Sequence, residues 1–381
     1  MKKLALYIHW PFCLSICPYC DFNRGIWSKA PTQDPEIWIE AYKKEITYWR
    51  KRIGECKVTS IFFGGGTPSL MPISLLAGIL QHISEVFGVL LSSIEVTLEM
   101  NPTKFETEKL QEIVALGINR ISVGVQSFQD PVLKFLGRTH TKQEAKNVLT
   151  WLKKKDVRFS LDLMYAHKYH EDPENWKTEL KEALQWAGSH ISLYQLTLER
   201  GTLFHRRAQQ EKNLILDASS AADLYLWTHH YLESLGWNGY EISNYARDAE
   251  YCEHNLTYWR YEDYLGIGAG AHSRITFSDG KYAIVNESSA TSWLNSCTVY
   301  HNAVKQAVPL ELCTQFKEKM LMGLRLKEGV FLDSVLPIPS KFEVKIQQLK
   351  DAGYMIEFEK RLQLTIEGKL RLDGILSFLL E

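Results

Sequence analysis

The chain has 381 residues, 45% of them hydrophobic and 23% charged, with a formal net charge of −1; this is an ordinary globular balance with room for two or three domains. The near-neutral charge removes any general electrostatic case for nucleic-acid binding, and no apolar run is long enough to span a bilayer. The amino terminus, MKKLALYIHWPFC, lacks the h-region and small-residue cleavage site of a signal peptide. It reads as the first strand of a cytoplasmic protein that meets membranes only through partners.

Residues 1 to about 200 alternate short apolar runs with longer amphipathic stretches. Strands are predicted over Leu4–His9, Thr59–Phe63, Ile94–Glu99, Arg120–Val125, Phe159–Met164 and Ile191–Leu196. Helices are predicted between them over Pro35–Ile53, Pro72–Phe87, Thr107–Leu116, Thr141–Lys154 and Pro173–Ala187. Such alternation implies βαβ units on a parallel sheet with right-handed crossovers. Six units fall short of a closed eight-fold barrel, so the expected class is α/β, a partial TIM-like barrel with function gathered at the carboxyl ends of its strands. Residues 200 to 305 are less regular: a helix over Ala218–Leu235 leads into an aromatic and glycine-rich stretch. Farther on, helices over Leu312–Leu326, Lys341–Ala352 and Thr365–Leu379, with a hairpin of Tyr354–Phe358 and Leu362–Leu364, suggest a mainly helical, winged-helix-like domain. The expected division is 1–235, 236–305 and 306–381.

The chemistry starts in the loop after the first strand. Cys13, Cys17 and Cys20 form a C-x3-C-x2-C pattern. A disulfide would leave one sulfur over, and a closed zinc site would need His9 as a fourth ligand. Iron–sulfur clusters are held by thiolates, and three on a four-iron cluster leave one iron open for a small molecule. The spacing resembles the radical SAM signature. Cys56, Cys252, Cys297 and Cys313 are scattered and read as structural thiols. Gly64-Gly65-Gly66-Thr67-Pro68 follows the second strand, where consecutive glycines allow close backbone approach to a ligand; the motif has neither the lysine of a P-loop nor the dinucleotide spacing. Glu99, Gln126, Arg138 and Asp162 lie at or near later strand ends. Burying such a carboxylate costs free energy without a partner, so either the residues pair in buried salt bridges with a neighbouring arginine or the four together bond a ligand's ribose, ammonium or carboxylate.

His254-Asn255-x-x-Tyr258-Trp259 is the other notable stretch. An imidazole can ligate haem iron, with aromatics packed on the porphyrin. Its second ring nitrogen would then need an acceptor such as Asn255, Asp263 or a backbone carbonyl, and Tyr258 would share its helical face. The competing reading has His254 supporting the Gly266–His272 loop; His272 and Cys252 are the next ligand candidates.

Taken in order, YIHWPFCLSICPYCDF, FFGGGTPSL, LEMNP, GVQSF, LGRTH, DLMYA, CEHNLTYW and GIGAGAHS resemble the HemN/HemW group of radical SAM proteins along essentially the whole chain. That resemblance implies a partial (β/α)6 barrel with a [4Fe-4S] cluster on Cys13, Cys17 and Cys20. It implies S-adenosylmethionine bound by Tyr7, Tyr19, Gly65, Gly66, Thr67, Glu99, Gln126, Arg138 and Asp162, and a winged-helix-like carboxyl-terminal domain. The dehydrogenase branch of the group carries a fourth cysteine where this chain has Phe22, and a long arm before the loop. The HemW branch has the phenylalanine, the short start and HNxxYW. The resemblance therefore implies a haem chaperone, with His254 at the haem, an acceptor protein for the haem and an electron donor for the cluster. The alternative is an oxygen-independent coproporphyrinogen III dehydrogenase.

Overall fold

The structure, a computed structural model, describes residues 1–211, 213–332 and 338–381. Strand β1 (Lys2–Trp10) is buried almost without interruption from Leu4 onward, the pattern of a parallel strand covered on both faces. Five strands follow in chain order: β2 (Cys56–Gly65), β3 (Glu95–Met100), β4 (Arg120–Gln126), β5 (Arg158–Tyr165) and β6 (His190–Gln195). Each pairs in parallel with the one before it. The principal crossover helices are α1 (Pro35–Ile53), α2 (Ile73–Phe87), α3 (Lys142–Lys154) and α4 (Pro173–Trp186). Their starts are written locally: Asp34 caps α1 ahead of Pro35, and Thr141 and Glu144 form a capping box on α3. The helix expected over 107–116 is instead two short pieces, Lys104–Thr107 and Leu110–Ala115. Buried Glu106 ties the first piece to the end of β3 by accepting from the Asn101 N–H (2.7 Å).

Helix α5 (Ala218–Ser234) leads to two short strands, β7 (Asn238–Gly239) and β8 (Asn244–Ala246), that run antiparallel on the β6 edge. After α6 (Glu253–Trp259) the chain crosses to the opposite edge. There β9 (Tyr264–Ile267) pairs in parallel with β1. Strands β10 (His272–Phe277), β11 (Gly280–Asn286) and β12 (Val304–Pro309) extend that edge antiparallel. The full order is β12-β11-β10-β9-β1-β2-β3-β4-β5-β6-β8-β7, an open arc, so the core is a partial TIM-like barrel. The stretch read as irregular thus supplies a seventh parallel strand and a meander. Four residues containing Gly266 show no alternation long enough to be seen, although Asp279-Gly280 at the β10–β11 turn is a hairpin signal.

The last segment has its own apolar core, which includes Phe316, Met320, Phe342, Ile346, Leu362 and Leu376. Helices α7 (Leu312–Gly323), α8 (Ser340–Asp351) and α9 (Leu372–Leu380) surround a small sheet of β13 (Val330–Phe331), β14 (Met355–Phe358) and β15 (Arg361–Leu364). Helix α7 stops at Gly323, short of the expected Leu326, and the expected 365–379 helix breaks into Ile366–Lys369 and α9. Arg274 of β10 holds α7 against the barrel by a bidentate pair with Glu318 (2.9 and 2.8 Å). Among the described residues, no helix is long and apolar enough to cross a membrane.

Candidate functional site

The cysteine loop is seated by its neighbours on both sides. Trp10, Trp27 and Trp38 pack around the Phe12 ring. The Gly66 N–H donates to the Trp10 carbonyl (2.7 Å) and the Thr67 N–H to that of Phe12 (2.8 Å). A Cβ on Gly66 would lie 2.5 Å from the Phe12 oxygen, and one on Gly65 (φ +107°) 2.5 Å from the His9 ring. The glycines are therefore required by the root of the cysteine loop, a neighbour the sequence could not reveal. Opposite, Gly137 (φ +67°) leaves room for Pro18. Arg138 donates to Cys17 Sγ (3.6 Å) and the Tyr19 hydroxyl (3.4 Å), and also to the Gly124 carbonyl (2.9 Å) and the Asn101 side chain. Its guanidinium ties the loop to the strand ends. Asn23 closes the loop by donating to the carbonyls of Ala269 (2.9 Å) and Ser288 (3.0 Å).

Cys13, Cys17 and Cys20 are half-buried free thiols. Burial foremost, with the Cys20 and Cys17 charges adding and a Thr67 hydrogen bond opposing, raises Cys13 to about 11, so the three sulfurs lie close enough to feel one another's charge. Burial also raises Cys20. A cationic centre among them would turn these thiols into thiolates. Among the described residues no group of three or more His, Cys, Asp or Glu side chains is spaced for one metal ion. A polynuclear cluster, each iron taking its own thiolate, fits three sulfurs set farther apart. The zinc alternative through His9 finds no support: His9 Nδ1 is bonded to the Tyr7 hydroxyl (2.9 Å) and Nε2 to the Asn23 carbonyl (2.8 Å).

Below the loop a cleft of about 860 Å³ opens into the barrel, and all thirteen residues predicted for the site line it, from Tyr7 and Cys13 to Asp162 and His254. Glu99 is half-buried with no ion-pair partner among the described residues; desolvation, then the Asp162 charge, raises its carboxyl to about 8. Asp162 accepts from the hydroxyls of Ser122 (2.6 Å) and Ser160 (2.7 Å). Burial raises it and the serine bonds oppose the rise. The alternative reading, a salt bridge to a neighbouring arginine, is found at neither among the described residues, although the Arg120 charge lowers Asp162. Gln126 has φ +65° at a register shift where β4 meets β5. A non-glycine residue held there at a strand end is an outlier of the kind that marks functional sites.

His254 stands at the closed end. Its Nδ1 is bonded to Ser60 Oγ (3.1 Å), and its ring lies against Phe62 with centroids 4.9 Å apart. Ser60 lies four residues before Gly64, the partner of His9, so this floor is about 13 Å below the cysteine loop. Neither Asn255 nor Asp263 orients the imidazole. Asp263 binds Lys2, Thr276 and Lys281 instead, and Ser60, 194 residues away, was invisible locally. Burial lowers His254 to about 3, keeping it neutral. Tyr258 meets the His254 ring edge-on at 6.2 Å, whereas Trp259 lines a separate cavity of about 210 Å³. Cys252 lies outside the cleft, its thiol donating to Glu95 (3.5 Å). Sequence reasoning missed Tyr194, Tyr264 and Met322, which line the cleft; only the fold brings them there.

The model of the radical SAM superfamily matches residues 7–181. The chain is 33% identical over 391 residues to radical S-adenosyl methionine domain-containing protein 1, mitochondrial, of Danio rerio, covering 99% of this chain and 87% of that one. It is 33% identical over 387 residues to the heme chaperone HemW of Escherichia coli, covering 100% and 99%. It is 34% identical over 390 residues to that of Haemophilus influenzae, covering 100% and 98%. The solved coproporphyrinogen III oxidase HemN from Escherichia coli, a radical SAM enzyme, superposes with a TM-score of 0.80 at 20% identity over 99% of this chain and 90% of that one; at that identity the likeness speaks for the fold.

Proposed function

The chain belongs to the HemW group of the radical SAM superfamily, and from that premise we propose that it is a haem chaperone, binding haem and passing it to an acceptor protein. Family membership implies a [4Fe-4S] cluster and S-adenosylmethionine. In this reading Cys13, Cys17 and Cys20 hold the cluster. Tyr7, Tyr19, Gly65, Gly66, Thr67, Glu99, Gln126, Arg138 and Asp162 form the S-adenosylmethionine site. When bound, the pair supplies one-electron chemistry at a sulfonium centre, fed by an electron donor.

The residues divide the work. Arg138 fixes Cys17 and Tyr19 relative to the strand ends. Glu99, which has no cation among the described residues, would take one from the ligand's ammonium or sulfonium and would then be held ionised. Ser122 and Ser160 hold the Asp162 carboxylate in position to accept from a ribose hydroxyl. His254, Phe62 and Tyr7 close the floor as a packed aromatic group that excludes water. All seven cysteines are free, which suits a reducing compartment such as the cytoplasm.

The observation that carries the chaperone reading over the dehydrogenase is Phe22, an exposed residue at the cleft where the dehydrogenase branch has a cysteine. The test is an anaerobic haem titration of the reconstituted protein followed at the Soret band. Saturable uptake of one haem per chain is expected; no uptake would end the chaperone reading.

A further inference from the structure

A haem carried here needs an iron ligand it can reach; of the four histidines that line the cleft, His9 and His190 have both ring nitrogens hydrogen-bonded, and the other two differ. His254 is 4% exposed, bonded to Ser60 and pressed on Phe62 at the floor. A macrocycle could meet it only by filling the space beside Glu99 and Asp162. His272 opens β10, is exposed, and lines the same cleft. Its ring nitrogens have no hydrogen-bond partner among the described residues. It also lies by the cluster loop, for Gly270 is so close to Asn23 that a Cβ there would sit 2.3 Å from the amide nitrogen.

The other side of that mouth comes from the carboxyl-terminal domain. His272 and Arg274 share one face of β10, and Arg274 is the residue that clamps Glu318. Met322 lies one turn beyond Glu318, on the same face of α7, and lines the cleft. The clamp thus joins the strand of His272 to the helix of Met322, and an imidazole from the barrel and a thioether from the second domain line one cleft together with Tyr258 and Tyr264.

We propose that His272 and Met322 are the axial ligand pair for haem at the mouth between β10 and α7. The proposal rests on the haem-binding reading above. Imidazole and thioether together form an established iron ligand set. A ligand from each domain also gives a means of release, since parting α7 from β10 removes one of them.

The full-length reconstituted protein, titrated anaerobically with hemin and reduced, is read by absorbance and magnetic circular dichroism. The wild type should show six-coordinate low-spin haem. His272→Gly should lose that signature and at least tenfold in affinity, and free imidazole should restore the low-spin spectrum. Met322→Leu, nearly isosteric, should keep the haem but turn it five-coordinate and high-spin. Both sites are outside the main core, and circular dichroism checks the fold. An unchanged haem spectrum in either variant overturns the ligand pair and leaves the haem reading standing. A wild type that takes up no haem removes both.

Discussion

Glu95 and Glu99 stand four residues apart on β3, the first buried and the second half-buried, and their surroundings are opposite. At the amino end, the Glu95 carboxylate lies 3.9 Å from Arg120 and 3.6 Å from Arg158. It also accepts from the His254 N–H (3.1 Å) and the Cys252 thiol. At the carboxyl end, Glu99 has Asp162 nearby and no cation, and its carboxyl is raised to about 8. The first carboxylate finds its cations within the folded chain. The second has a backbone hydrogen bond from Gly65 and, among the described residues, no cation. The same contrast runs through the thiols: Cys252 is fully buried and hydrogen-bonded in the lower layer, while Cys13, Cys17 and Cys20 face the cleft without a cation to match their number. In an α/β barrel the amino ends of strands carry stability and the carboxyl ends carry chemistry. Here that division can be read within one strand.

The contrast can be broken most sharply at the cysteines. Replacing Cys13, Cys17 or Cys20 by Ser should abolish nearly all iron–sulfur absorbance of anaerobically purified protein, and Cys252→Ser should leave it. A cluster that needed Cys252 and not Cys17 would reverse the assignment. Next in size is Glu95→Ala, which strands the buried Arg120 and should lower unfolding stability by about 3–5 kcal/mol, read from denaturant midpoints. Glu99→Ala should leave stability intact or improved while weakening S-adenosylmethionine binding about ten- to a hundred-fold, the loss of one charge-assisted bond. Equal effects of the two alanines on binding and stability would erase the distinction between the ends.

The contrast also shows in pH. Because the folded carboxyl of Glu99 is raised, its contribution to stability is in place below about pH 4.5 and is lost as pH climbs through about 8. The ligand-free protein should therefore weaken across that window. S-adenosylmethionine, which needs the ionised form, should bind more tightly with rising pH, by up to about tenfold per unit until pH 8. Affinity flat from pH 6 to 8 would return Glu99 to an ordinary buried acid.

What could be read from sequence was local in origin. The cysteine spacing, the GGGTP turn and the alternation of β1 to β6 with their helices each lie within a few residues, and the fold keeps them. The reason for the glycines was not local: the backbone of Phe12, some fifty residues earlier, occupies the space a side chain would need. The sheet edge from β9 to β12 escaped because its first strand is four residues long and broken by glycine. The partners of His254 escaped because Ser60 and Glu95 come from strands far earlier in the chain. Met322 carries no mark in its own neighbourhood; the docking of α7 on the barrel, through Tyr261 and Arg274 on Glu318, makes it a cleft residue.

The measurement that bears most directly on the account is product analysis of the reconstituted protein given coproporphyrinogen III, S-adenosylmethionine and a low-potential reductant under anaerobic conditions. With Phe22 where the dehydrogenase branch has cysteine, the predicted result is that the substrate is recovered unchanged while haem added to the same preparation is bound. Sustained formation of the decarboxylated product would contradict the chaperone account and make the chain a coproporphyrinogen III dehydrogenase.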